Sequence, residues 1–378
     1  MATETSSATT TGTAVVGRLS VLDRFLPVWI LAAMGLGLLL GRIIPSLSGV
    51  LDAVKIGSVS LPIALGLLLM MYPVLAKVRY GHLNTVTGDR RMLLSSLALN
   101  WIVGPAVMFA LAWLLLPDQP AYRTGLIIVG LARCIAMVLI WNDLSCGDRE
   151  AAAVLVAINS VFQIVAFAAL GWFYLNLLPG WLGLPQTDLH VSIGVIAGSV
   201  LIFLGIPLVA GFLTRLIGER RKGTDWYENR FLPKIGPVAL YGLLFTIVIL
   251  FALQGHTITS EPLNVVRIAL PLLAYFALMW GLSFLLGKTI GLPYNRTATL
   301  AFTAAGNNFE LAIAVAIAVF GVTSGQALAG VVGPLIEVPV LVALVYVSLW
   351  AGRRFFPPGD PTVPHRRTPP APTGKPVS

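Results

Sequence analysis

Four side chains capable of chemistry lie where water does not. Arg133-Cys134 sits inside a long apolar segment, and Gly306-Asn307-Asn308-Phe309-Glu310 follows about 173 residues later inside another, with Glu337 in the next. A charge near a bilayer centre costs about 3 kcal/mol or more, so a function is expected to hold these groups there. A buried cysteine is most often a small packing residue. Beside Arg133, which offers a counter-charge to a thiolate, Cys134 becomes a candidate ligand, and thiolates select soft species. One thiolate without a histidine or second cysteine gives weak, exchangeable ligation. All four histidines (His82, His190, His256, His365) fall in loops or the C-terminal tail, so no permanent metal and no cofactor are expected. Of 16 acidic residues only Glu310 and Glu337 fall inside apolar segments. Both are candidate proton carriers. The alternatives are an ion pair with Arg133 for Glu310 and polar helix packing for Glu337. Cys146, beside Gly147-Asp148, reads as incidental, and both cysteines as reduced thiols.

The elements that position these groups follow from composition. The 378 residues are 57% hydrophobic and 11% charged, against about 25% charged in a soluble domain. Ten apolar runs approach the length of roughly 20 residues that spans a bilayer: 25–44, 59–78, 93–117, 123–143, 151–177, 191–217, 235–255, 266–288, 297–320 and 328–352. The expected class is an all-α polytopic membrane protein, because a backbone in lipid must bond to itself. Of 25 Lys and Arg, 20 collect on one side of these ten spans, 4 (Arg42, Lys55, Arg123, Arg267) on the other, and Arg133 lies within. By the positive-inside rule both termini are cytoplasmic. The +9 charge thus reads as topology, and no nucleic-acid partner is implied. The first run follows Arg18 and Arg24 but lacks a small-x-small cleavage site, so it reads as a helix rather than a signal peptide. Residues 1–17 (Thr/Ser/Ala-rich) and 357–378 (Pro-rich) read as disordered cytosolic tails.

The segment after Arg123-Thr124 resembles the one after Arg296-Thr297. At an offset near 173, Ala132-Arg133-Cys134 falls opposite Ala305-Gly306-Asn307; one residue later in register, Asn159–Gln163 falls opposite Gly333–Glu337. Spans 4–5 then match spans 9–10, and the chain divides at 18–190 and 191–356 into two five-helix repeats of opposite topology. Such inverted repeats place a transporter's site where interrupted helices meet. Spans 4 and 9 carry poor helix formers near their middles, so both are expected to break there and expose free backbone groups to a polar cavity. Asn100, Asn142, Asn159, Gln163, Asn307 and Asn308 add uncharged donors and acceptors, more than helix gluing requires. Trp101, Trp113 and Trp141 suit either an interfacial belt or the pathway.

Gly130-Leu-Ala-Arg-Cys134-Ile-Ala-Met-Val138 with Trp141-Asn142-Asp143, Asn307-Asn308-Phe309-Glu310 and Gly333-Pro-Leu-Ile-Glu337-Val-Pro339 resemble the motifs of the arsenical-resistance-3 family of arsenite permeases, over roughly residues 20–355. The resemblance implies arsenite efflux in exchange for protons across a bacterial inner membrane, with antimonite as a poorer substrate. It implies roles for Cys134 (substrate thiol), Glu310 and Glu337 (proton coupling), and Asn100, Trp113, Arg133, Trp141 and Asn159. It also implies the sodium–bile acid symporter fold: a panel of helices 1, 2, 6 and 7 against a core of helices 3–5 and 8–10, with 4 and 9 crossing. The expected substrate site is Cys134, Arg133, Asn307, Asn308, Asn100, Asn159 and Trp141.

Three rivals stand beside this reading. A sodium-coupled organic-anion symporter of the same fold would want more buried carboxylates and would leave Cys134 idle. An intramembrane cysteine enzyme lacks a histidine base within the spans. A gated channel would not move solute uphill. No G-x-x-x-x-G-K-[ST] motif is present, so energy comes from a gradient or from a separate arsenic-efflux ATPase subunit. Oligomeric state is not legible.

Overall fold

The computed structural model describes residues 25–44, 55–56, 59–78, 89–135, 137–185, 192–260, 262–357 and 360–363. The expected tail at 1–17 lies outside them. Apolar runs become helices because each must bury its own backbone bonds. They are α1 (Leu26–Ile43), a short β1 (Lys55–Ile56) and β2 (Val59–Ser60) pair, α2 (Leu61–Ala76), α3 (Arg90–Leu115), α4 (Pro120–Leu131) and α5 (Met137–Leu144). Then come α6 (Arg149–Trp181), α7 (Ile193–Lys222), α8 (Thr224–Trp226 continuing through Leu232–Ser260), α9 (Pro262–Thr289), α10 (Tyr294–Ala305), α11 (Phe309–Phe320) and α12 (Gly325–Phe355). Six of these, α3, α6, α7, α8, α9 and α12, are long and apolar enough to cross a membrane, so the described chain is a multi-pass helical membrane protein. Single π turns interrupt α3, α6, α7 and α8.

Packing sorts the helices into two groups. α8 lies against α1 and α2, and α2 against α7. In the other group α9 packs on α3, α10 and α12, while α4 packs on α3 and α12. Glycines permit the closest approaches: a Cβ at Gly41 would lie 2.2 Å from the Ala252 carbonyl oxygen. Arg215, on α7, serves the first group. It donates to the carbonyls of Ala76 and Lys77 at 3.4 and 3.2 Å and pairs with Glu219 and Glu228. The free carbonyls that end α2 are thereby satisfied.

In the second group Arg296 ties two helix starts together. Asp89 caps α3 and Asp148 caps α6, and Arg296 reaches them at 2.8 and 3.3 Å. Beside it, residues expected to lack structure fold back. Asp360 accepts from the Tyr294 backbone N–H at 3.2 Å and Thr362 Oγ1 from that of Asn295 at 3.3 Å, capping α10. The tail read as disordered from 357 is therefore docked at Asp360–Val363, because α10 begins with N–H groups that need acceptors.

Burial alone would raise the Asp360 carboxyl, but hydrogen bonds from Thr362 and Tyr294 hold it below the ordinary carboxylate range. A depressed folded value means the clasp contributes above the ordinary range and is lost as pH falls through the depressed one. Asp360→Asn is therefore expected to release the segment at neutral pH. Trypsin should then cut faster after Arg353 and Arg354 in detergent-solubilised protein; an unchanged rate would show that the cap holds nothing down.

Candidate functional site

The two segments expected to break do so. α4 ends at Leu131 and α5 starts at Met137; α10 ends at Ala305 and α11 starts at Phe309. Between them the chain is extended at Ala132 (φ −86°, ψ 113°) and Gly306 (φ −71°, ψ 146°). The breaks cross as a miniature antiparallel ladder. Arg133 lies opposite Asn307, the Asn308 N–H donates to the Ala132 carbonyl at 3.0 Å, and the Cys134 N–H to the Gly306 carbonyl at 3.3 Å. Each break thus satisfies backbone groups of the other.

The outward N–H groups of the ladder are satisfied from neighbouring helices in matching fashion. Gln163 on α6 accepts from the Arg133 N–H at 2.5 Å, and Glu337 on α12 accepts from the Asn307 N–H at 3.3 Å. Each acceptor stands 30 residues beyond its donor. One is an amide, the other a carboxyl.

The end of α4 explains the buried guanidinium. Arg133, with no exposed surface, donates to the Gly130 carbonyl and, at 2.8 Å, to the Tyr275 hydroxyl. Asn307 Nδ2 takes the Val129 and Ala132 carbonyls at 2.8 and 3.2 Å. A cation here also complements the negative end of α4. Arg133 was expected either to bind substrate or to pair with Glu310. Among the described residues it makes no ion pair with Glu310 or Glu337, and its guanidinium packs against Gly104 and Tyr275 instead.

Beside the crossing lies a small, partly open cleft. The first break contributes Cys134, Ile135 and Met137; the second break and α12 contribute Asn307, Glu310 and Glu337; α2 closes the far wall with Met70, Met71 and Val74. Glu310 stands in the first turn of α11, where free N–H groups and the helix dipole favour negative charge. The Asn307 Oδ1, although buried, has no partner. Four expected site residues, Cys134, Asn307, Glu310 and Glu337, thus share one cavity.

The other five line different surroundings. Arg133 ends α4. Asn308 caps α11 through the Leu311 N–H at 3.0 Å. Asn100 sits in the α3 π turn and donates to Ser96. Asn159 accepts from Trp101 Nε1 at 3.2 Å. Trp141 is buried with its Nε1 unpartnered. Trp113 supports the Arg123 guanidinium, 3.6 Å from its ring centroid. The α2 wall carries no charge that would announce it in the sequence; its Met70-Met71 pair within a leucine run is the available signal.

A family model for the sodium bile acid symporter family matches residues 64–261. The arsenical-resistance protein Acr3 of Corynebacterium glutamicum is 62% identical over 347 residues, covering 92% of this chain and 94% of that one. The chain belongs to the Acr3 family of arsenical-resistance proteins, within the sodium bile acid symporter family. Acr3 of Alkaliphilus metalliredigens is 34% identical over 89% of this chain and 94% of its own. An uncharacterized transporter of Synechocystis sp. is 35% identical over 91% and 92%.

In this Acr3-family chain the crossing is held by close packing as well as by hydrogen bonds. A Cβ at Gly333, on α12, would lie 1.8 Å from the ring of Phe309, the residue before Glu310. Gly333→Ala must push that ring and the start of α11 aside. We expect a stability loss of about 1–3 kcal/mol, read as a lower melting temperature in detergent. An unchanged melting temperature would mean that the ring has room to move.

Proposed function

We propose that the chain is an arsenite efflux permease, a carrier rather than an enzyme, exchanging As(OH)3 for protons, with antimonite as a second substrate. One observation carries the reading: a cysteine and two carboxyl groups share a single small cleft at the crossing. Arsenite at physiological pH is a small neutral triol with thiophilic arsenic. The Cys134 thiol exchanges for one hydroxyl, forming an S–As bond and releasing water, while the remaining hydroxyls bond to Asn307. Glu310 and Glu337 hold the exchanged proton, and arsenite entry displaces it. Arg133, Asn308, Asn100, Asn159 and Trp141 shape the walls and breaks around this centre.

In this reading ten spans form two five-helix inverted repeats, 18–190 and 191–356, with both termini on the cytoplasmic side of the plasma membrane. The matching Gln163 and Glu337 bonds and the mutual ladder support it. α1, α2, α7 and α8 form the panel past which the remaining helices move.

Everted membrane vesicles from cells expressing the chain should accumulate arsenite when an inward-acid proton gradient is imposed, and should stop when it is collapsed. Uptake that follows a sodium gradient instead would transfer the protein to the organic-anion symporter reading.

A further inference from the structure

The cleft offers more sulphur than a neutral metalloid needs. Three of the chain's eight methionines, Met70, Met71 and Met137, line it together with Cys134. Met70 and Met71 are buried and belong to α2, on the wall facing the crossing. Unbranched methionine often fills gaps in a core. Yet α2 uses leucine for that purpose along Leu67-Leu68-Leu69 and changes to Met-Met at the level of the cavity. The same walls carry Glu310 and Glu337 and no lysine, arginine or histidine. Asn307, 2% exposed, adds an unpartnered carbonyl oxygen to the lining.

This donor set has a definite selectivity. Thiolate and thioether ligands are soft and select soft monovalent ions such as copper(I), whereas sodium, magnesium and calcium want oxygen cages. Neutral As(OH)3 uses the thiol but gains little from thioethers. We infer that the cleft is also a binding site for a soft monovalent metal ion, silver(I) or copper(I), held by the Cys134 sulphur and the methionine thioethers. Binding exchanges S–H for S–metal and sends the proton to water; nothing is oxidised or reduced. One positive charge enters as one leaves, so occupancy does not change the net charge of the cavity. Only the further consequence, that these ions compete with arsenite, rests on the function proposed above.

The test uses the full purified chain in detergent, carrying Cys146→Ser so that one thiol remains, titrated with silver(I) in chloride-free buffer by calorimetry. One tight silver ion per chain is expected. Cys134→Ser should remove it. The combined Met70→Leu, Met71→Leu and Met137→Leu variant should weaken it about 10-fold or more, in the range that loss of supporting groups costs a metal site. Should that variant fail to fold, Met70→Leu with Met71→Leu is read in the same way. Silver affinity unchanged by the methionine substitutions would reduce the site to a bare thiol and overturn the inference. Absence of a tight ion in the parent chain would do the same. Because the readout is binding without arsenite, it stands or falls separately from vesicle uptake.

Discussion

Cys134→Ser is expected to leave the protein folded and to lower gradient-driven arsenite uptake about 100-fold or more. The argument is chemical. Serine is nearly isosteric, and the backbone N–H that donates to Gly306 is untouched. The side chain is 3% exposed in a wall where a hydroxyl finds polar neighbours in Asn307 and the two carboxyl groups. What changes is the bond to arsenic. An oxygen ligand only replaces the oxygen that arsenite already carries, whereas sulphur is the softer partner that arsenic prefers. Losing that preference by about 2.7 kcal/mol corresponds to the stated factor. Initial uptake rates in everted vesicles, normalised to the amount of inserted protein, decide it. A variant that keeps half the parent rate would remove Cys134 from the substrate site.

The second large effect separates two duties of Glu337. One carboxyl oxygen accepts from the Asn307 N–H at 3.3 Å and so holds the second break in the ladder. Glutamine performs the corresponding duty at Gln163. Glu337→Gln should therefore melt close to the parent but lose proton-driven uptake. Glu337→Leu should lose uptake and also stability, by about 1–3 kcal/mol for the buried N–H left without an acceptor. Melting temperatures and vesicle uptake are read on the same preparations. Proton-driven uptake surviving in Glu337→Gln would assign the proton to Glu310 alone. Equal melting of all three proteins would show that the hydrogen bond bears no structural load.

Six of the expected spans, each a helix long and apolar enough to cross a membrane, were legible because a lipid-facing helix must be apolar for its whole length, and the breaks because Gly306-Asn307-Asn308 is a poor helix run. Other features were not. The antiparallel pairing of Arg133 with Asn307 is set by backbone bonds, which an alignment of apolar segments does not reveal. The direction of the Arg133 side chain also escaped sequence reasoning. In extended backbone, neighbouring side chains leave on opposite faces. With Cys134 turned to the cleft, Arg133 turns toward Tyr275. Asn100 and Asn159 have the right types for the site but bond to Ser96 and Trp101 instead. Ligand-facing polarity and helix-gluing polarity look the same in a string of letters. The α2 wall shows the converse, since nothing polar announced it.

The ladder between the breaks also joins stretches of chain that are made far apart in time. The Ala132 carbonyl and the Cys134 N–H find their partners on Asn308 and Gly306, and the Val129 carbonyl finds Asn307 some 178 positions away. If the ten-span reading proposed above holds, the first broken span would lack partners for these polar groups until α10 and α11 are made, each costing several kcal/mol in hydrocarbon. A chain stopped after α6 is therefore expected to be less stable in the membrane than the full chain. Co-expression of the two halves, whose breaks then pair, is expected to restore that stability.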